Sequence, residues 1–205
     1  MRSASGGWPD QRILDLFGID LPIIQAPMAG ASTPEMAIAV SEAGGLGSLP
    51  CALMTPDQAR QALEIIRQAT AGPINLNFFC HTPPKLDDTA IAAWREKLAP
   101  YYLELGIDPA APIPTSNRAP FDNAYCALVE DFKPQVVSFH FGLPEAALLA
   151  RVKASGAKVI SSATTVAEAR WLEARGVDAV IAMGAEAGGH YGHFLQTDVG
   201  SQIGT

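Results

Sequence analysis

The sequence predicts an α/β fold built on a parallel sheet, and three observations carry that prediction. Short β-rich runs ending in Gly, Pro or Asn alternate with longer stretches of 3.6-residue apolar periodicity. The runs begin near residues 21, 46, 73, 136, 158 and 177, and four of the five intervals are about 19 to 27 residues. Such an interval holds one strand, one helix and tight loops. Run bodies such as VVSF and DAVIAM are apolar throughout, as strands covered on both faces are.

The first run is Leu21–Met28, and the second is Leu46–Cys51. Between them Thr33 and Pro34 read as N-cap and first helical residue, and Gly44 and Gly45 stop that helix near Ala43. Thr55-Pro56-Asp57 repeats the capping logic for a helix to about Thr70, ahead of the third run, Pro73–Cys80. A segment without a clear strand follows, from His81 to about Lys133. Within it Asp87 to Leu105 is predicted helical, with Ile91, Trp94, Leu98, Tyr101 and Tyr102 as the apolar stripe. The fourth run, Val136–Phe141, leads to a helix from Pro144 to Ser155 ended by Gly156. The fifth, Lys158–Ala163, leads to a helix from Thr165 to Arg175 ended by Gly176, and the sixth is Val177–Met183. This pattern fits two architectures, an open doubly wound sheet or part of an eightfold barrel.

Composition bounds the function. With 205 residues, 48% hydrophobic and 17% charged, the chain is long enough for a single sizeable core. The net charge of −7 and the lack of a Lys/Arg cluster argue against nucleic acid or an anionic membrane as partner. Residues 1–11 lack the apolar stretch of a secretory signal, and no apolar run reaches the ~20 residues of a membrane helix. Cys51, Cys80 and Cys126 are too scattered for a disulfide framework or a zinc site and read as small core residues. A reduced, cytoplasmic protein is expected.

In both architectures chemistry sits at the C-terminal ends of the strands. Those ends carry Gln25 to Met28, Pro50-Cys51, Asn75 and Asn77, His140 with Gly142, Ser161-Ser162, and Gly184 to Gly192. His140 stands out, because an imidazole at a strand end can hold or move a proton near neutral pH. Asn75 and Asn77 share one strand face, and their amides suit a planar heteroaromatic ring. The glycines of EAGGHYG let backbone approach a ligand closely. Glu186, His190 and His193 lack metal-ligand spacing, so no metal is expected.

The strings PIIQAPMAG, GGLGSL, NLNFF, SFHFGLP and IAMGAEAGGHYGHF occur in that order at successive runs. Together they resemble the nitronate monooxygenase family, formerly called 2-nitropropane dioxygenases, from about Leu21 to Thr205. The resemblance implies an FMN-dependent (β/α)8 TIM barrel. It implies His140 as the catalytic residue that acts as base or positions the nitronate. It implies flavin contacts from Ala26, Pro27, Met28, Asn77, Met183, Gly188 and Gly189, with His190 beside the substrate. Two positions depart from the pattern: Met183 stands where Gln is common, and Tyr191 where Arg is common.

The implied reaction is oxidative denitrification. A nitronate, or a nitroalkane deprotonated by His140, passes one electron to FMN, and reaction with O2 gives a carbonyl compound and nitrite. The partners are thus a small nitronate and O2, and the oligomeric state is left open. Two alternatives stay beside this one: an FMN-dependent enoyl-ACP reductase, whose branch shares EAGGH but lacks a histidine in the position of His140, and a remnant that no longer holds FMN. A whole barrel takes about 250 residues, whereas this chain offers about six βα units. The expectation is therefore a C-terminally truncated barrel that lacks strands seven and eight and exposes two apolar edges. Residues 1–20 read as an N-terminal extension, and 21–205 as a partial flavin-binding barrel with a helical insertion at about 81–133.

Overall fold

The computed structural model describes residues 7–112, 118–196 and 198–205. Five parallel strands form one sheet: β1 (Gly47–Pro50), β2 (Ile74–Phe79), β3 (Val136–His140), β4 (Lys158–Ala163) and β5 (Ala179–Ala182). Spatial order equals chain order, β1-β2-β3-β4-β5. A doubly wound sheet reverses direction at a switch point, whereas a barrel adds each strand beside the last. The sheet is therefore an arc of a (β/α)8 barrel, which decides between the two architectures the sequence allows.

The first predicted run joins the sheet through a single parallel bridge, Ile24 to Leu46. Pro22 and Pro27 bound it, and neither has an N–H to give to a ladder. What remains is Leu46 N–H to the Ile23 carbonyl and Gln25 N–H to the Leu46 carbonyl. Both margins of the arc carry exposed apolar residues, Ile23 and Ile24 on one side and Val180 and Ile181 on the other.

The helices follow their caps. In α2 (Pro34–Glu42) the Thr33 hydroxyl accepts from Met36 N–H. In α3 (Pro56–Ala69) Thr55 and Gln58 exchange hydrogen bonds in a capping box. Helix α6 is Ala146–Ala154, and α7 (Val166–Glu173) starts at Thr165, whose hydroxyl accepts from Glu168 N–H. Two further helices were not predicted. One, α1, is Arg12–Phe17; the other, α5 (Asn123–Phe132), is capped by the Asp122 carboxylate.

Alternation along the strands sorts their residues onto two faces. Leu49, Leu76, Phe78, Val137, Phe139 and Val159 point outward and pack with Leu63 and Ile66 of α3, Leu128 and Val129 of α5, and Leu149 and Val152 of α6. On the inner face, Leu46, Val136 and Ile160 meet Leu14, Phe17 and Ile19 from α1 and the segment after it. That apolar plug lies toward the N-terminal ends of the strands and leaves their C-terminal ends for polar residues. Cys51 and Cys126 are buried in the outer core, and burial pushes the Cys51 thiol up to about 12, as expected of packing residues.

Close helix–strand packing depends on Gly47. A Cβ there would collide with the backbone carbonyl of Ala37 in α2, and backbone cannot rotate aside. Gly47→Ala is expected to destabilise by about 3 kcal/mol or more, seen as a lower urea midpoint with an unchanged slope.

These elements belong to a compact unit of residues Met1–His81 and Arg118–Thr205, and a second unit spans Thr82–Asn117. The second holds α4 (Asp88–Glu104), capped by Asp87. The Arg95 guanidinium donates to the Pro109 and Ala111 carbonyls and ties the following loop back onto the helix. Ile91, Trp94, Leu98 and Tyr102 of the predicted stripe line a cavity of about 650 Å³ under that loop. Among the described residues no helix is long and apolar enough to cross a membrane.

Candidate active site

Above the apolar plug the inner face turns polar. Asn75 donates from Nδ2 to Ser48 Oγ (3.0 Å), and Gln25 accepts through Oε1 from Ser48 N–H (3.1 Å). One strand over, Asn77 Nδ2 donates to Ser138 Oγ at 3.0 Å. Buried amide atoms without a partner among the described residues include Gln25 Nε2, a donor, and Asn75 Oδ1, an acceptor. Orphaned buried polar atoms are uncommon and costly. Here they sit on the inner face, where a ligand's polar edge can complete them.

His140 closes this face at the C-terminal end of β3. Register sets its neighbour: Phe139 pairs with Ser161, so His140 lies beside Ser162. Nδ1 is 2.6 Å from Ser162 Oγ, and Nε2 is 3.0 Å from the His190 carbonyl. A carbonyl only accepts, so in this arrangement Nε2 carries the proton and the neutral ring accepts at Nδ1 from the Ser162 hydroxyl. Burial pushes the His140 pKa below its ordinary value and so disfavours the charged ring, against an opposing pull from the His190 carbonyl.

Aromatic rings wall the imidazole. Phe141 lies 4.4 Å from it and Phe79 5.7 Å, with Phe79 and Phe141 edge-to-face at 5.2 Å. Rings of His81 and His190 complete the cluster around Phe79 and Phe141. Phe141 adopts φ +66°, a left-handed conformation that costs a bulky residue energy and aims its ring at the site. Gly192 is required on the far side, since a Cβ there would collide with the His140 ring. The loop bearing His190 and Gly192 is pinned just beyond by the Glu168 carboxylate, which accepts from Phe194 N–H (2.7 Å) and Leu195 N–H (3.1 Å).

Of the residues expected from sequence, His140 and His190 are in direct contact, through the His190 backbone rather than its ring nitrogens. Asn77 occupies the same inner face one layer below. Met183 hydrogen-bonds through its backbone N–H to Ala163 and leaves its thioether without a donor to offer. Gly188 and Gly189 have open space where a side chain would stand, and Gly189 has φ +83°. Ala26, Pro27 and Met28 lie in the irregular segment after the bridge, just before a turn at 29–31, and Ser32 takes the Met28 N–H and donates to the Ala26 carbonyl. No hydrogen bond or ring contact among the described residues joins that segment, or Gly188 and Gly189, to His140. Phe79, His81, Phe141 and Glu168 were not anticipated. The signal for Phe79 was its place two residues beyond Asn77 on the same strand face.

The chain was compared with known proteins. The family model described as "Nitronate monooxygenase" matches residues 10–203. A nitronate monooxygenase of Paraburkholderia phytofirmans is 46% identical over 196 residues, covering 94% of this chain and 53% of that protein. A structure of nitroalkane oxidase from Streptomyces ansochromogenes superposes with a TM-score of 0.79 at 39% identity, covering 94% of this chain and 55% of the other. FabK from Thermotoga maritima superposes with a TM-score of 0.63 at 31% identity, covering 89% and 47%. The chain spans about half the length of the curated relatives it matches.

Proposed function

The chain belongs to the nitronate monooxygenase family, and on that premise we propose that it serves the FMN-dependent oxidation of a small alkyl nitronate by O2 to a carbonyl compound and nitrite. The observation that carries this reading is His140, desolvated and ring-walled at a barrel strand's C-terminal end, with the proton on the nitrogen facing the Gly-rich loop.

The residues present fit a flavin. An isoalloxazine pyrimidine edge offers both carbonyl acceptors and an N–H donor, which match the unpartnered Gln25 Nε2 and Asn75 Oδ1 beside Asn77. Gly188 and Gly189 leave backbone that a ligand can approach. Ala26, Pro27 and Met28 supply an apolar edge, and Met28 is 48% exposed. Met183 would add only apolar contact, so the carboxamide functions fall to Gln25, Asn75 and Asn77. When bound, the flavin supplies the electron acceptor and the reaction with oxygen.

The chain's own residues handle the substrate. A nitronate oxygen is a stronger acceptor than a peptide carbonyl and can displace His190 O from His140 Nε2–H. Phe79 and Phe141 exclude water from that contact and strengthen it. Among the described residues no carboxylate enters the His140 contacts, which suits an anionic substrate. The test is oxygen uptake and nitrite release by the flavin-loaded protein given a preformed alkyl nitronate. Flavin absorbance with nitrite formation is the expected result. Bound flavin with no nitrite would sink the reading, and NAD(P)H consumption with an enoyl thioester would move the assignment to a reductase.

A further inference from the structure

We propose that Ser162 is a positioning residue for His140, the partner that lets one imidazole serve as hydrogen-bond donor and as base. This rests on the reading that His140 meets the substrate. Ser162 is 4% exposed on the inner face of β4, and its Oγ stands 2.6 Å from His140 Nδ1. No other hydrogen bond is made by that hydroxyl to a side chain among the described residues.

A hydroxyl is both donor and acceptor, and this is what the position requires. With the Gly-rich loop closed, Nε2–H points at the His190 carbonyl and Ser162 donates to the Nδ1 lone pair. Once that carbonyl is displaced, the tautomer with the proton on Nδ1 becomes available, and Ser162 rotates to accept it. Nε2 then presents a lone pair to the substrate. A neutral nitroalkane gives its α-proton to Nε2, and the C–H bonding pair moves into the nitro group to form the nitronate. The resulting imidazolium keeps its Nδ1–H on Ser162 Oγ. An alanine supports neither state, and threonine keeps the hydroxyl. Among the described residues the other hydrogen-bond partner of the His140 ring is the loop carbonyl, which must leave.

The experiment uses protein labelled with ¹⁵N at histidine, its His140 signals assigned by their loss in a His140→Asn variant. In the wild type the His140 nitrogens are expected to show an Nε2–H tautomer with a hydrogen-bonded Nδ1. Ser162→Ala is expected to move the Nδ1 resonance toward the value of an unbonded lone pair, and Ser162→Thr to restore it. Turnover of a nitronate is expected to fall about tenfold in the alanine variant, the worth of one well-placed hydrogen bond, and to recover with threonine. An unmoved Nδ1 resonance in folded Ser162→Ala overturns the proposal, as does a threonine variant that fails to recover. Absence of nitronate turnover in the wild type would overturn the proposed function alone, because the nitrogen spectrum judges Ser162 without it.

Discussion

His140→Asn is expected to lower nitronate oxidation by roughly a thousandfold, within the range for loss of a positioned proton-handling group, while flavin stays bound. Asparagine fits the space and keeps an N–H donor. It cannot bridge Ser162 and the incoming oxygen along the same line, and it cannot take up a proton. Flavin retention follows from position, since the unpartnered Gln25 and Asn75 atoms lie a layer below and do not depend on the imidazole. The measurement pairs visible absorbance of the purified variant with oxygen uptake. Turnover within tenfold of wild type would show that the imidazole is a wall of the site and not its working group. Loss of flavin as well would mean that His140 holds the cofactor site together, contrary to the layering of the inner face.

Much of this site was legible in the sequence, and what was not has physical reasons. His140 could be read because a polar residue ending an apolar run faces the barrel mouth. Its partners could not, because 22 residues separate it from Ser162 and only strand register makes them neighbours. The His190 contact runs through a backbone carbonyl, which no side-chain pattern reports. Thr33, Thr55 and Thr165 announced their helices because capping is local chemistry. Helix α5 was missed although Tyr125, Cys126, Leu128 and Val129 have helical spacing, since it ends on Lys133 at φ +45° where a glycine is the usual signal. Helix α1 hid in residues 1–20, read as an N-terminal extension, yet Leu14, Phe17 and the left-handed Gly18 were there to be read. The first run was overcalled as a strand because its apolar content outweighed its two prolines.

The interior explains why the chemistry collects at one end. Leu14, Phe17 and Ile19 fill the N-terminal end of the arc with apolar volume. Serine and asparagine then occupy inner positions on β1, β2, β3 and β4, each short enough to bond a neighbouring strand without crossing the lumen. Among the described strand residues of this face, the aromatic rings of Phe79 and His140 stand at the rim. The order from apolar plug to amide layer to ring-walled imidazole is a gradient from packing to chemistry along a single face.

The second large effect is expected at Glu168. Its carboxylate is fully buried, and its partners among the described residues are hydrogen-bond donors, not a salt-bridged cation. Oε2 accepts from Thr164 N–H and Thr164 Oγ–H, both at 2.8 Å, and Oε1 accepts from Phe194 and Leu195 N–H. Burial alone would push this carboxyl up, but the hydrogen bonds from Phe194, Thr164 and Leu195 outweigh it and leave the pKa below its ordinary 4.5. Glu168→Ala orphans four donors, the two on Thr164 buried and those of Phe194 and Leu195 part-buried, at a cost of about 3–5 kcal/mol. The loss should be uneven, because two of the four donors anchor the segment that carries His190 and Gly192 onto His140. Hydrogen exchange at Phe194 and Leu195 is therefore expected to accelerate more than exchange in β2 or β3. The pH dependence has a fixed sign: a depressed folded-state pKa gives stability that is present above about 4.5 and is lost as pH falls through the folded value. Wild type should lose stability on acidification through that window, and Glu168→Ala should lack that component of the slope. Uniform acceleration of exchange would show that the carboxylate supports the fold at large and not the loop that closes on the imidazole, and equal acid sensitivity in the two proteins would show that its ionisation does not contribute to stability.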